Sequence, residues 1–362
     1  MEKKPRLLFV TEAFGGGVFE YCLLLCNELA SHFEVYLAYG VRPQTPEGFR
    51  EMFDPRIHLI PVEHFVRSIR LGDDIRAGRE LARIYREVKP DLVHLHSSKA
   101  GAIGRIAFAF KKTPLFYTPH GYSFLMTNAG KLRRQVYFAM EYALARIPCT
   151  TVCCSAGEYR QALRLTRRAL QINNAVNLQD IDAFLRENPP ARHPFTVCTV
   201  GRICQQKNPA LANRIAQRMP DVRFVWVGDG ELRSQLTAPN LEVTGWVKRE
   251  QALRTLEQAD VLLLPSLWEG LPLTLLEAMY CGVLCVVSDV VGNHDVIHSG
   301  VNGFVCPAEE DYVQAIRLAK DHPDQVQAMK ERARQEVEQE YNASVMEQRY
   351  RAMYREALAG KG

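Results

Sequence analysis

Short apolar runs alternate with amphipathic segments along nearly all of the sequence, and this pattern constrains the fold more than any other feature. Runs such as Leu7–Val10 and Val261–Leu264 are typical of buried strands, whereas residues 73–88 have the apolar spacing of a helix packed on one side. Strands that alternate with helices form parallel sheets covered by helices on both faces. The sequence therefore predicts the α/β fold class.

The alternation comes in two blocks, and the 362 residues suffice for two domains. Predicted strands are 7–10, 34–38, 92–95, 115–118 and 149–153 in the first block, and 196–200, 224–227, 241–244, 261–264 and 284–287 in the second. Between the blocks, Pro189, Pro190 and Pro194 exclude a continuous helix or a central strand. We therefore predict two facing Rossmann-like, doubly wound domains, residues 1–178 and 195–342, with a linker at 179–194. A C-terminal helix within residues 343–362 is expected to pack back on the N-terminal domain.

Charge and cysteine content narrow the function classes. A formal net charge of +4, from 45 Lys+Arg and 41 Asp+Glu, is too balanced for a general nucleic-acid binder, so no nucleic-acid partner is expected. The 10 cysteines lie mostly inside apolar runs, which favours free thiols in a reducing cytoplasm. The sequence contains no run of 18 apolar residues, so no membrane-spanning helix is predicted.

The segment around residues 264–282 carries the strongest chemical signal. A strand is followed by the turn Trp-Glu-Gly-Leu-Pro and then by a helix start, where the main-chain amides of Leu271, Leu273 and Thr274 can bind a diphosphate. Glu269 and Glu277 flank this anion site, and we expect them to accept hydrogen bonds from sugar and ribose hydroxyls. The alternative is a capped surface helix with incidental glutamates.

Two cations follow the first strand of the second block. Arg202 and Lys207 lie on the loop after residues 196–200, at a spacing that suits clamping one phosphate chain. There they would neutralise the charge on a departing nucleoside diphosphate. On their own they could be solvated surface charges, and the adjacent helix start favours the phosphate interpretation.

Four stretches, in this order, resemble a known family. They are Val-Gly-Arg-Ile-Cys-Gln-Gln-Lys-Asn-Pro at residues 200–209, Val-Gly-Asp-Gly-Glu at 227–231, Gly-Trp-Val at 245–247, and Glu269 with Glu277. The sequence resembles the retaining GT-B glycosyltransferases of the group 4 family, of the bacterial surface-polysaccharide type. The resemblance implies a nucleotide-sugar donor bound mainly by the second domain, and no cofactor. It places Arg202 and Lys207 at the diphosphate.

The same resemblance gives roles to the remaining residues of the second domain. Glu277 would contact the ribose, and Glu269 the hydroxyls of the donor sugar, within a turn that includes Gly270. The backbone around Val247 would contact the base.

In the first domain a glycine-rich loop follows the first strand. Gly16 and Gly17 let the backbone approach a ligand at a helix start, although the third glycine of a dinucleotide fingerprint is replaced by Glu20. The resemblance places this loop beside the donor phosphates and the acceptor.

Three histidines follow or end strands of the first domain. His120 comes after the strand at 115–118, and the resemblance implies a catalytic position near the donor sugar; a histidine that caps a loop is the alternative. His94 and His96 alternate on one strand face, as metal ligands could, but a structural or polar-lining role is favoured. We predict no metal site.

The sequence Asp180-Ile-Asp182 matches the Asp-x-Asp motif that holds a divalent cation in other glycosyltransferases. It lies in a segment that resembles the linker of the family, so we predict a structural role. The expected chemistry is metal-independent and driven by Arg202, Lys207 and the helix dipole.

Residues 131–146 have apolar residues at helical spacing, which favours a core helix. Lys131, Arg133 and Arg134 cluster at its start, after Phe124 and Leu125. The alternative to a core helix is a basic, partly apolar surface that contacts anionic lipid head groups.

The predicted reaction is transfer of a hexosyl group, with retention, from a nucleoside-diphosphate sugar such as a UDP-sugar to a hydroxyl. The acceptor would be a glycan or a polyprenyl-diphosphate-linked glycan in O-antigen, capsule or exopolysaccharide synthesis. The predicted location is the cytoplasm, including the inner face of the membrane. Two alternatives stay open: a nucleotide-sugar epimerase of the same fold and a non-catalytic sugar-nucleotide sensor.

Overall fold

The computed structural model describes residues 4–66, 68, 70–126, 129–187 and 194–360, which form two compact units. The first unit contains the N-terminal residues up to Leu125, then Ala129–Asn174, and the C-terminal residues from Ala343. The second unit contains Ala175–Asn342. A helix at Leu178–Glu187 occupies the first part of the predicted linker, and residues 188–193, with Pro189 and Pro190, lie outside the described residues.

The first unit is built on a seven-stranded parallel sheet with the order β3-β2-β1-β4-β5-β6-β7. Its strands are β1 (Arg6–Phe14), β2 (Glu34–Val41), β3 (His58–Pro61), β4 (Leu92–His96), β5 (Leu115–Thr118), β6 (Thr150–Cys153) and β7 (Ala169–Gln171). The strand order reverses between β1 and β4. Ligands of doubly wound sheets bind at such a switch point, beyond the carboxyl ends of the strands.

Helices cover both faces of this sheet. They are α1 (Gly16–Leu29), α2 (Phe49–Met52), α3 (Leu71–Val88), α4 (Ser98–Phe108), α5 (Lys131–Leu144) and α6 (Ala156–Leu163). One core cluster joins Leu8 and Val10 of β1 to Leu81 and Ile84 of α3. Helix α6 begins where the Ser155 hydroxyl accepts a hydrogen bond from the Glu158 amide at 3.1 Å, as N-cap serines do.

The second unit has a six-stranded parallel sheet with the order β10-β9-β8-β11-β12-β13. Its strands are β8 (Thr196–Val200), β9 (Arg223–Val227), β10 (Leu241–Val243), β11 (Val261–Leu264), β12 (Leu284–Ser288) and β13 (Phe304–Cys306). Its helices are α7 (Leu178–Glu187), α8 (Pro209–Gln217), α9 (Arg249–Glu257), α10 (Leu273–Tyr280), α11 (Glu309–Asp321) and α12 (Pro323–Glu340). The strand order reverses between β8 and β11.

The final helix, α13 (Ala343–Ala359), belongs to the first unit and packs against α1. Tyr350 and Tyr354 are fully buried there. The Tyr350 hydroxyl is hydrogen-bonded to the hydroxyl of Tyr21, and that of Tyr354 lies 2.6 Å from Nδ1 of His94. Side chains from the two ends of the sequence thus share one core.

The predicted α/β class with two Rossmann-like sheets is confirmed. The prediction omits three strands, β3, β7 and β13, which have 4, 3 and 3 residues. Each lies at a sheet edge, where a few residues are paired on one side only. Such short strands leave little apolar periodicity in the sequence.

All ten cysteines are free thiols, nine of them buried and Cys281 half-buried. Burial raises the pKa of Cys149 and of Cys198 to about 12, so both thiols are protonated at neutral pH. Among the described residues, every helix is too short or too polar to cross a membrane.

Candidate active site

The loops that follow β8 and β11 lie on either side of the switch point in the second unit, and hydrogen bonds join them. The Leu267 amide donates to the carbonyl of Gln206 at 2.8 Å, and the Gln206 side chain donates to the carbonyl of Trp268 at 3.0 Å. The predicted Arg202–Lys207 loop and the predicted Glu269 turn are therefore neighbours in the structure. Gln206, which joins them, was not predicted.

An ion pair connects these two loops. Lys207 donates from Nζ to Oε1 of Glu269 at 2.7 Å, and Gln206 donates to Oε2 of the same carboxylate at 3.2 Å. Glu269 is only 7% exposed. Gly201 has φ +139°, and a Cβ there would lie 3.2 Å from Cε of Lys207, so glycine leaves room for the lysine side chain.

Helix α10 begins directly after the Glu269 turn. Pro272 is its N-cap. The amides of Leu273 and Thr274 form no hydrogen bond within the described part of the chain, and both residues are half-buried. These amides and the helix dipole favour an anion at this position.

The backbone of Gly292 packs closely against the Glu269 turn. It has φ +88°, and a Cβ there would lie 2.2 Å from the carbonyl oxygen of Gly270. No other residue type fits so close to that backbone. The position of Gly270 and Leu271 therefore depends on a glycine that the sequence did not single out.

Glu277 is also paired with a cation. Arg249 donates from Nη2 to its Oε1 at 2.7 Å. Arg249 is the first residue of α9, directly after the segment Gly245–Lys248 that includes Val247. It was not predicted, although a cation at the start of the helix after the Gly-Trp-Val stretch was a usable signal.

Arg202 differs from the other cations of the site. Its guanidinium is half-buried and forms neither a hydrogen bond nor an ion pair with the residues that the structure describes. It follows Gly201 on the same loop as Lys207. A half-buried guanidinium with unused donors suits a phosphate.

Both predicted carboxylates of the site are paired with cations. We predicted that Glu269 and Glu277 accept hydrogen bonds from ligand hydroxyls, but in the structure Lys207 and Arg249 already donate to them. The second oxygen of Glu269 also accepts from Gln206, but a carboxylate has about four lone-pair sites and can accept further bonds from hydroxyls. Because both acids are paired with cations, a diphosphate at α10 meets less negative charge than the sequence alone suggests.

In the first unit, His120 follows β5 in a left-handed conformation, φ +54°, and precedes Gly121 at φ +94°. The buried carboxylate of Glu158 holds this turn, because it accepts hydrogen bonds from the amides of Gly121 at 2.7 Å and Cys154 at 2.8 Å. Burial lowers the pKa of His120 to about 3, so its ring is neutral at physiological pH.

His94 uses both ring nitrogens inside the protein. Nδ1 pairs with the Tyr354 hydroxyl at 2.6 Å, and Nε2 with the Thr118 hydroxyl at 2.9 Å. Nδ1 of His96 lies 3.1 Å from Nε2 of His120. Both ring nitrogens of His94 are thus paired with hydroxyls of the protein, which leaves neither for a metal shared with His96.

Gly16 and Gly17 start α1, beside the carboxyl end of β1. Both are exposed, and a Cβ on either would meet no atom within 4 Å. The first turn of α1 is therefore open to a ligand. Beside it, Glu12 and Arg42 form a buried ion pair that was not predicted.

The Asp-x-Asp match lies on helix α7. Asp180 is exposed on its first turn, and Asp182 accepts a hydrogen bond from the Tyr280 hydroxyl at 2.8 Å. One of the two carboxylates therefore joins α7 to α10. Elsewhere, in the first unit, Glu63, His64 and Glu80 bring ligand atoms within 4.8 Å of one another, and His64 is hydrogen-bonded to Glu80.

Helix α5 does not have the core role that its apolar spacing favoured. Tyr137 and Phe138 pack on the core, but Leu132 is 76% exposed and Val136 is 50% exposed. Residues 106–170 contain ten lysines and arginines, and both glutamates of this range, Glu141 and Glu158, are buried. We call the cations of this segment, together with its exposed apolar residues, the basic face. The cations are Lys111, Lys112, Lys131, Arg133, Arg134, Arg146, Arg160, Arg164, Arg167 and Arg168, and the apolar residues are Ile106, Phe110, Leu132, Val136, Met140, Tyr142 and Leu163.

Comparisons with known proteins agree with this architecture. The model of Glycosyltransferase Family 4 matches residues 15–180, and that of Glycosyl transferases group 1 matches residues 180–336. The chain is 31% identical over 282 residues to UDP-Gal:alpha-D-GlcNAc-diphosphoundecaprenol alpha-1,3-galactosyltransferase of Escherichia coli, which covers 70% of this chain and 72% of that one.

Solved structures share the fold at low sequence identity. Sucrose-phosphate synthase of Thermosynechococcus elongatus aligns with a TM-score of 0.83 at 17% identity, over 99% of this chain and 100% of its own. The Anabaena protein HepE, solved with UDP and glucose, aligns with a TM-score of 0.78 at 17% identity, over 96% and 99%. The chain belongs to the GT-B glycosyltransferases of the group 4 family, of the bacterial surface-polysaccharide type.

Proposed function

We propose that this glycosyltransferase moves a hexosyl group from a UDP-sugar to a hydroxyl of a glycan or polyprenyl-diphosphate-linked glycan, with retention at the anomeric carbon. The product would enter O-antigen, capsule or exopolysaccharide synthesis. The observation that carries the proposal is the Lys207–Glu269 ion pair on the same loops as the first amides of α10 and the guanidinium of Arg202. Neither these amides nor this guanidinium has a partner among the described residues. The name of the E. coli relative makes UDP-galactose the first donor to test.

The donor would be bound by the second unit. Arg202, Lys207 and the amides of Leu273 and Thr274 would bind the diphosphate, with Gly270 and Leu271 shaping the turn. Glu277, oriented by Arg249, would accept from the ribose hydroxyls. Glu269 would accept from the sugar hydroxyls, and the backbone at Val247 would contact the base.

The chemistry would consist of stabilising the leaving group. Negative charge builds on the diphosphate as the glycosidic bond breaks, and fixed cations and helix amides stabilise it without reorganisation. Glu269 and Glu277, each paired with a cation, have the proposed role of binding ligand hydroxyls, so the proposal assigns neither as a nucleophile. We therefore favour a same-face reaction in which a phosphate oxygen takes the acceptor proton, and we propose that no divalent cation is needed.

In the first unit, His120, Gly16 and Gly17 are the proposed ligand-binding residues. His120 is neutral and would bind a sugar oxygen, which makes it a proposed catalytic residue. The amides of Gly16 and Gly17 would bind phosphate oxygens at the start of α1.

The basic face is the proposed contact with an anionic membrane. Its segment, residues 106–170, has ten cations and only two acids, both buried, and has large exposed apolar side chains, of which Phe110 is 100% exposed. Basic residues near an anionic bilayer each contribute about 1 kcal/mol, and apolar side chains add to this. The protein would thus work at the inner face of the cytoplasmic membrane, where a polyprenyl-linked acceptor is available.

One set of incubations tests the proposal. The purified protein is mixed with UDP-galactose or UDP-glucose, with or without a synthetic polyprenyl-diphosphate-linked N-acetylglucosamine, in buffer with excess EDTA. We expect an α-linked disaccharide only when donor and acceptor are both present. A β-linked product would contradict retention, and strict dependence on an added cation would contradict the metal-free reaction.

Two controls address the alternatives. Interconversion of the two donors without acceptor would indicate an epimerase. Binding of UDP without turnover of any donor, in a folded protein, would indicate a sensor.

A further inference from the structure

Three histidines of the first unit form one stack in the structure. The rings of His94 and His96 are 4.2 Å apart, and those of His96 and His120 are 5.3 Å apart, measured between ring centroids. The Tyr21 ring stands edge-on to His120 at 4.6 Å. Nδ1 of His96 and Nε2 of His120 lie 3.1 Å apart, so these two rings share one hydrogen bond.

Both rings that share this bond are neutral. Burial lowers the pKa of His96 well below its ordinary value, and that of His120 to about 3. A neutral imidazole carries one N–H and one lone pair. The shared hydrogen bond therefore has two arrangements, which differ in the ring that donates.

The surroundings of the second ring nitrogen of His96 favour one of these two hydrogen-bond arrangements. Nε2 of His96 is fully buried and has no hydrogen-bond partner among the residues that the structure describes. If His120 donated, His96 would carry its proton on Nε2, as a buried N–H without an acceptor. If His96 donates, Nε2 holds only a lone pair. In folded proteins an orphaned buried donor is rarer than an under-satisfied acceptor, which favours His96 as the donor.

We infer that His96 is a positioning residue that donates Nδ1–H to Nε2 of His120 and so fixes His120 as the Nδ1–H tautomer. Nδ1 of His120 forms no hydrogen bond with the described residues, and the ring is half-buried, so this N–H is available to a ligand. The left-handed backbone of His120, held through Gly121 by Glu158, fixes the direction of the ring.

The inference deepens the proposed function and rests on it only for the identity of the ligand. A His120 whose Nε2 is occupied and whose Nδ1 carries a proton donates one hydrogen bond. It has no free lone pair with which to remove a proton from a hydroxyl. The ligand atom at Nδ1 is therefore an acceptor, such as a sugar oxygen, and His120 is not a general base.

Nuclear magnetic resonance of the full-length protein, labelled with ¹⁵N in its histidine rings, tests the inference directly. Long-range ¹H–¹⁵N spectra distinguish protonated from unprotonated ring nitrogens, and loss of signals in His120→Asn assigns those of His120. We expect His120 to be protonated on Nδ1 in the unmodified protein. Protonation on Nε2, or rapid averaging of both tautomers, would overturn the inference without any variant of His96.

Two variants of His96 test its role. His96→Asn keeps an N–H donor near the position of Nδ1, and we expect it to keep the Nδ1–H form of His120. His96→Phe keeps an aromatic ring without a donor, and we expect a mixture of both tautomers. A persistent Nδ1–H form in His96→Phe would show that His96 does not set it.

Rates of sugar transfer in the variants show whether this inference and the proposed function stand or fall separately. If His120 is Nδ1–H and depends on His96, but His120→Ala transfers sugar at the normal rate, the proposed role of His120 fails and the tautomer assignment stands. If transfer falls at least tenfold in both His120→Ala and His96→Phe, and His96→Asn restores it, both stand.

Discussion

Lys207 and Glu269 form an ion pair of 2.7 Å between the loops after two adjacent strands, and the carboxylate is only 7% exposed. The lysine holds the turn before α10, and it is also a proposed partner of the donor diphosphate. A phosphate that approaches Lys207 competes with Glu269 for its protons. The hydroxyls of the sugar could then take the lysine's place at the carboxylate, so the two parts of the donor would bind together.

Replacement of Lys207 should affect both catalysis and stability. We expect Lys207→Ala to lower kcat by roughly 100-fold or more, as loss of a charge-stabilising donor does. It should lower the free energy of unfolding by about 1–3 kcal/mol, because Gln206 is then the one partner left to the buried carboxylate of Glu269 among the described residues. Steady-state kinetics and urea unfolding measure the two effects.

Arg223→Ala is the matched control for Lys207→Ala. Arg223 pairs with Glu242 in the same unit, but both side chains are exposed, 48% and 59%. It should change stability by less than about 0.5 kcal/mol and leave transfer intact. Equal effects of the two variants would contradict a special role of Lys207.

Arg249 should act on binding more than on turnover. Arg249→Ala leaves Glu277 without the cation that orients it, and we expect the affinity for UDP to fall roughly tenfold, since hydrogen bonds to charged groups contribute about 1.5–3 kcal/mol. Titration calorimetry with UDP measures this. Arg254→Ala, on the same helix and paired with Glu250, is the control. Unchanged UDP affinity in Arg249→Ala would remove Arg249 from the site.

Substitutions at two glycines distinguish the effect of backbone strain from the effect of a steric clash. Gly292→Ala and Gly282→Ala both place a side chain at positive φ, +88° and +73°, which costs about 1–2 kcal/mol. Only Gly292→Ala also forces a Cβ against Gly270, because the space at Gly282 is open. We therefore expect transfer to be lost in Gly292→Ala and kept in Gly282→Ala, as measured at a temperature where both are folded. Full activity of Gly292→Ala would show that the turn tolerates displacement.

The histidine stack should make the protein sensitive to acid. Burial lowers the pKa values of His94, His96 and His120 in the folded state, whereas the unfolded chain takes up these protons near pH ~6.5. The free energy of unfolding is thus fully present above that pH and falls as the pH decreases towards the folded-state values, by up to about 1.4 kcal/mol per pH unit for each histidine.

His120→Asn should remove one of the three histidines that make stability depend on pH. The free energy of unfolding should therefore fall less steeply as the pH decreases. Urea unfolding between about pH 7.5 and pH 5 would measure the slope of stability against pH. His298→Asn, which alters an exposed residue, is the control. A slope in His120→Asn equal to that of the unmodified protein would contradict the expectation.

The basic face should bind anionic lipid. We expect the protein to sediment with phosphatidylglycerol vesicles and not with phosphatidylcholine vesicles, and less so at high salt. Lys131→Glu with Arg133→Glu should weaken this roughly tenfold or more. The same reversal at Arg79 and Arg83, which are exposed on α3, should have little effect. Equal losses in both pairs would indicate a response to net charge alone.

The sequence predicts most of the sheets because parallel strands buried on both faces are continuous apolar runs, as in Leu262 and its neighbours in β11. It predicts Arg202, Lys207, Glu269 and Glu277 because these lie in short local motifs. It misses Arg249, Gln206 and Glu158, whose roles come from partners far away in the sequence. Nor could the apolar spacing of α5 reveal which side is buried.

The shared core of the first unit has a consequence for biosynthesis. Tyr350 and Tyr354 complete a core that begins with β1, so the first unit lacks these side chains until the ribosome has translated α13. Residues Ala175–Asn342, the main part of the second unit, form one continuous segment that is synthesised in full before α13. Since domains generally fold as units during synthesis, the part of the protein that is made first finishes folding last.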